Sequence, residues 1–119
     1  MTDPYRRIEP DLHLNDPERG FSFASQAGGA LELSFVDWRN RTVAFRFENV
    51  HLFHHQFGGG YRNLPEGEVI ELHDSGTLSD LREAGTVESQ EAVRHIVIST
   101  NEGEWCEIVA ARYEVRVTG

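Results

Sequence analysis

"LELSFVDWRNRTVAFRFENV", residues 31–50, decides the architecture of this chain. Leu31, Leu33 and Phe35 fall on alternate positions, with Glu32 and Ser34 between them. Val43, Phe45 and Phe47 repeat the pattern around Arg46. A period of two places apolar side chains on one face of a strand and polar ones on the other. Between the runs, "DWRN" at 37–40 reads as a turn: Asp37 starts one well, and Asn40 tolerates a left-handed backbone. Two alternating runs around a short polar turn predict a β-hairpin. The phase then slips, because the apolar positions are odd-numbered up to Phe47 but even-numbered at Val50 and Leu52. A bulge or break near Asn49 would turn the strand in this way.

The same period continues outward from the hairpin. "FSFAS" at 21–25 alternates until Gly28 and Gly29 interrupt it, and "EVIEL" at 68–72 is a further short strand. "TLSDLREAG" at 77–85 changes character, with Leu78 and Leu81 on one helical face. Thr77 followed by Asp80 resembles a capping box, and Gly85 is a natural stop, so the expected helix covers 77–84. "VRHIVIST", the turn "NEGE" and "WCEIVAA" predict a second hairpin, and "RYEVRV" then alternates with Tyr113, Val115 and Val117 inward. Residues 1–20 contain Pro4, Pro10 and Pro17 among charges and read as an extended N-terminal arm before a single β-rich domain over 21–119. The expected fold is α+β and mostly antiparallel β, with about six to seven strands and one short helix near 77–84. A partly closed barrel and a two-layer sheet packed on the helix both satisfy the pattern.

Composition narrows the function. A chain of 119 residues is one domain with a modest core. Cys106 is alone and has no partner for an internal disulfide. No apolar run approaches the ~18 residues of a membrane span, and "MTDPYRRIEP" has no apolar signal core; a cytoplasmic, non-membrane protein is expected. All 11 basic residues are arginine, which excludes Schiff-base, P-loop and kinase-type lysine chemistry. The net charge of -9 is uneven, since the segment 66–91 holds -7 of it. Such a chain repels phosphate backbones, so nucleic acid is not an expected partner. Glu66, Glu68, Glu71, Asp80, Glu83 and Glu88 are instead the expected acidic surface for a basic protein partner.

"HLFHHQFGGGYRN", residues 51–63, gathers three histidines, three glycines and a Tyr-Arg pair. On a strand His51 and His54 point to opposite faces, and His51 and His55 lie about 13 Å apart. A metal requires its ligands within about 4 Å of each other, so the run by itself makes no metal site. His73 or His95 could join one of these histidines in space. The triple glycine lacks the spacing of a phosphate loop and reads as a hinge. His54, His55, Tyr61 and Arg62 are the expected binding residues of its rim. No cofactor is expected.

Three further features read as structural. "HDSG" at 73–76 has the letters of a hydrolase triad, but consecutive residues cannot form one, and they read as strand-to-helix turn residues. Cys106 alternates with Ile108 and Ala110 as a small buried hydrophobe. Trp38 and Trp105 both sit at hairpin turns, where a tryptophan either folds back as a lid or stands out as an anchor.

"LELSFVDWRNRTVAFRFENV", "VIELHDSGTLSDL" and "RHIVISTNEGEWCEIVAARYEV" together give a chain that resembles short bacterial β-rich proteins of unknown function, some of them similar to immunity proteins of toxin systems. The resemblance spans about residues 30–118 and carries over no catalytic residue. It implies a small interaction protein, such as an inhibitor. The alternative is a small-ligand or metal-binding β domain with a site near the His51–Arg62 segment. An enzyme would require a histidine–carboxylate pair facing a cleft.

Overall fold

A computed structural model describes residues 4–58, 61 and 64–119. Among the described residues seven strands form one antiparallel sheet: β1 (Tyr5–Ile8), β2 (Arg19–Gln26), β3 (Ala30–Val36), β4 (Thr42–Phe57), β5 (Val69–Leu72), β6 (Arg94–Ser99) and β7 (Glu104–Thr118), in the order β1-β5-β6-β7-β4-β3-β2. Among these residues the one α-helix, α1 (Gly76–Glu83), follows β5, and a single 3-10 turn, Ala27–Gly29, joins β2 to β3. The two edge strands do not meet, so the sheet is open, and the two-layer form of the expected fold is the correct one.

The predicted hairpin is β3–β4, in register from Leu31 opposite Phe47 to Val36 opposite Thr42. Its turn is held by Asp37, whose buried carboxylate accepts the Arg39 and Arg41 N–H groups through Oδ1 and the Arg41 guanidinium through Oδ2. Burial raises that carboxyl's pKa, but the Arg41 contacts and the Arg39 N–H outweigh it and leave the group below its ordinary range. Asn40 adopts the left-handed backbone (φ 62°) that the sequence assigns to it.

The phase slip is also present. Asn49 has φ 53°, and the β4–β7 register shifts between Val50 and Leu52. β4 and β7 are the longest strands and pair along nearly their whole length, from Thr42 opposite Thr118 to Phe57 opposite Glu104. The bend in this ribbon separates the sheet into two halves. β2 and β3 extend one half from β4, whereas β6, β5 and β1 extend the other from β7. The halves fold over one core, in which Leu33, Phe35, Val43, Phe45 and Phe47 meet Val69, Ile96, Ile98, Cys106 and Ile108. Each such side chain contributes about 1.5–3 kcal/mol by leaving water.

The far half is covered on its second face as well. Leu78, Val87 and Val109 cluster there with Leu52, Leu81 and Val93, and Tyr61, Leu64, Ile70, Leu72, Val97 and Trp105 form a neighbouring cluster. Burial on both faces explains why Trp105 to Ala110 are buried without a break.

Two expectations require correction. The helix is capped by Ser75, whose Oγ accepts the Leu78 N–H at 3.1 Å, and so begins before the Thr77 capping box read from the sequence. "WCEIVAA" and "RYEVRV" are one continuous strand, β7, and not two. The N-terminal segment is extended over Tyr5–Ile8, where it pairs with β5, and Leu14 enters the main core.

Asn49 sits at the bend in a left-handed conformation that glycine, asparagine and aspartate adopt most readily. Asn49→Gly should therefore leave stability within about 0.5 kcal/mol, whereas Asn49→Val should cost about 1–2 kcal/mol in denaturant unfolding.

Candidate functional site

The residues with chemistry converge on the outer face of the far half, where β4, β6 and β7 run side by side. His54 lies opposite Glu107 across the β4–β7 pair, and its Nδ1 is 3.4 Å from Glu107 Oε1. Glu107 Oε2 accepts two further hydrogen bonds, from His95 Nε2 at 2.9 Å and from the Tyr61 hydroxyl at 2.8 Å. The other nitrogen of His95, Nδ1, is 2.7 Å from Ser75 Oγ. A carboxylate only accepts, so Nε2 carries the imidazole proton, Nδ1 is bare, and the Ser75 hydroxyl donates to it. Burial raises the Glu107 pKa, but the hydrogen bonds from His95, Tyr61 and His54 hold it below the ordinary carboxylate range.

Serine, histidine and glutamate in a hydrogen-bonded row have the connectivity of a hydrolase triad. The surroundings give the row another role. Ser75 and His95 are both 0% exposed, so a substrate atom reaches neither. The Ser75 oxygen already accepts the Leu78 N–H as the cap of α1. The row is a buried strut: it fixes the start of the helix to β6, β6 to β7, and β7 to the loop residue Tyr61. A polar network of this kind holds a unique arrangement because every member would be costly to leave unpaired.

The other expected binding residues are not part of this row. His55 points to the opposite face of β4, where Nε2 lies 2.7 Å from Glu104 Oε2, and its ring packs against Phe23 and Phe57. His51 bonds a third carboxylate, Glu91. The run therefore faces two ways, as strand geometry requires, and each histidine meets a different glutamate. Among the described residues no group of three or more His, Cys, Asp or Glu side chains could hold a metal ion. Tyr61 is not the exposed rim residue that was expected: it is 6% exposed, with its ring against Trp105 and His95. A tyrosine beside glycines carries apolar area that favours burial once its hydroxyl has a partner. Arg62 lies outside the described residues.

The acidic segment divides in the same way. Glu66, Asp80, Glu83 and Glu88 are exposed. Glu68 pairs with Arg7 at 2.6 Å. Glu71 leaves the expected surface altogether: it is buried and bridges Arg94 and Arg6, at 2.8 and 2.9 Å. The Arg94 hydrogen bonds, with those of Arg6 and the charge of both, overcome burial and lower its pKa from 4.5 to about 2. Its residue type in a charge-rich run gave no sign of this, because the cations arrive from β1 and β6. Cys106 is sealed in the core, and burial pushes its thiol pKa well up, as befits a packing residue. The two tryptophans part company: Trp105 is buried, whereas Trp38 is 49% exposed with Arg39 over its ring.

Comparison with protein families, curated proteins and solved structures finds no match to this chain. Among the described residues no helix is long and apolar enough to cross a membrane.

Two outcomes follow from the paired carboxylates. Ser75→Ala removes the helix cap and leaves His95 Nδ1 without its donor, and it should lower unfolding stability by about 1–3 kcal/mol. Glu71 is held ionised by folding, so its contribution is complete above pH 4.5 and is lost as pH falls toward about 2. Glu71→Gln should therefore flatten the stability–pH curve across that window, as measured by denaturant titration at stepped pH.

Proposed function

We propose that this chain is a small protein-interaction module, of the inhibitor or immunity type, that meets a basic partner through the acidic surface on and beside α1. The observation that carries this reading is the state of the carboxylates there. Asp74, Asp80, Glu83 and Glu88 are exposed, and their side chains pair with no cation among the described residues. Arg82, the one Lys or Arg of the segment 66–91, directs its guanidinium to backbone carbonyls and not to these carboxylates. Its guanidinium donates to the carbonyl oxygens of Glu88, Ser89 and Glu91, at 2.7, 3.1 and 3.1 Å.

These bonds tie the loop after α1 back to the helix and fix the spacing of the free carboxylates. The strut from Ser75 to Glu107 fixes the other end of the helix to the sheet. A preorganised surface of one charge steers an oppositely charged partner and accelerates encounter, and it does so less as salt screens it. The reading requires no catalytic group, in keeping with a sealed Ser-His-Glu row. It assigns the segment 66–91 two roles: Glu68 and Glu71 brace β1 against the sheet, and the helix-side carboxylates face outward.

Immobilised wild-type protein should retain a cationic partner from native lysate at about 50 mM salt and release it at about 500 mM. The triple variant Asp80→Asn, Glu83→Gln, Glu88→Gln should lose the same partner at low salt while keeping its fold. A partner held equally at both salts and by both proteins would remove the acidic surface from the recognition.

A further inference from the structure

β4 outruns its neighbour. β3 pairs with Thr42–Phe47 only, while β4 continues to Phe57. Its final residues have β7 on one side and, among the described residues, no strand on the other. The Gly58 N–H donates to Gly103 O, across the same register that sets Phe57 opposite Glu104. Backbone groups in an antiparallel strand alternate between its two sides. Gln56 and His54 thus turn theirs to β7, and Phe53, His55 and Phe57 turn their N–H and C=O groups to the open edge. Among the described residues no strand pairs with β4 on that side beyond Phe47.

The side chains of the same three residues share the inner face. Phe53 and Phe57 are 40% and 70% exposed. Phe23 of β2 lies beneath, with ring centroids 4.7 Å from Phe53 and 4.8 Å from His55. An open edge is ordinarily protected by lysine, proline or an inward charge. From Asn49 to Phe57 there is no Asp, Glu, Lys, Arg or Pro.

We propose that this edge pairs with the same edge of a second copy, antiparallel, about a two-fold axis through His55. The spacing is symmetric: an axis at His55 sets Phe53 of each copy opposite Phe57 of the other, on one face, and aligns all three sets of free backbone groups. Cross-strand aromatic pairs are a favoured contact in sheets. Charge selects the occupant too. Copies of a chain with net charge -9 repel one another, and this stretch lets them meet without setting carboxylate against carboxylate. The carboxylates beside it are already engaged, Glu104 by His55 and Glu107 by His95 and Tyr61, so a basic partner is served by the helix side instead. The assembly is isologous and closed, so it stops at two.

Sedimentation of the wild-type chain from micromolar to hundreds of micromolar should show a species of twice the 13.5 kDa chain mass growing with concentration. Phe57→Glu, at a position already mostly exposed, should leave a folded monomer throughout. In the wild type, hydrogen exchange at the amides of Phe53, His55 and Phe57 should slow about tenfold or more at the high-concentration end. The triple α1 variant should dimerise like wild type, which separates this interface from the acidic surface. A wild-type monomer at every concentration would overturn the proposal. So would a dimer indifferent to Phe57→Glu, or one without slowed exchange at those amides. A foreign strand protecting the same amides while the free chain stays monomeric would replace the second copy and equally overturn it.

Discussion

The bend in the β4–β7 ribbon is the constraint on which the remaining structure depends. A single sheet of this width could lie flat and leave one face wet. Asn49, with its left-handed backbone, and the register shift beside it turn the ribbon so that its two ends face each other. The phenylalanines of β3 and β4 then find an apolar surface made by β5, β6 and β7. Every later feature inherits this geometry. The far half acquires an inner face and an outer face, and α1 and Tyr61 close the outer one.

Polar chemistry in this molecule is mostly devoted to holding those layers in place. Glu107 collects His95, Tyr61 and His54, Glu71 collects Arg6 and Arg94, and Asp37 collects its own turn. Each is a carboxylate at or below the surface whose partners come from distant parts of the chain or from the turn itself. Removing one partner strands a desolvated charge, so these groups specify the arrangement more than they add to its stability. Tyr113 illustrates the same economy: burial and a hydrogen bond to Glu9 raise its phenol pKa to about 12, and its ring supports Arg94.

Much of the fold could be read along the chain because it rests on local pattern. The hairpin around Asp37, the slip at Asn49, the helix near Leu78 and the turn at Gly103 all follow from neighbours within a few positions. The edge strand β1 was not legible, since Arg6 and Arg7 lie exposed and their partners, Glu71 and Glu68, are over sixty residues away. The site was less legible for the same reason. His54 and His55 could be assigned to opposite faces, but His95 and Ser75 become a pair only through the packing of β6 on the helix start. The glycine neighbours of Tyr61 suggest solvent, whereas its hydroxyl finds Glu107 forty-six residues on.

The position of β7 carries a consequence for the birth of the molecule. It pairs with β4 along one side and β6 along the other, so it is central in space, yet it is the last of the strands to be synthesised. Until it emerges, β4 has only β3 beside it and the two halves have nothing to join them. Without β7 the strand order falls into two three-stranded pieces, β1-β5-β6 and β4-β3-β2, with no ladder to join them over Phe45 and Phe47. Long-range pairing of this kind slows folding and extends the time for which sticky strands are on display.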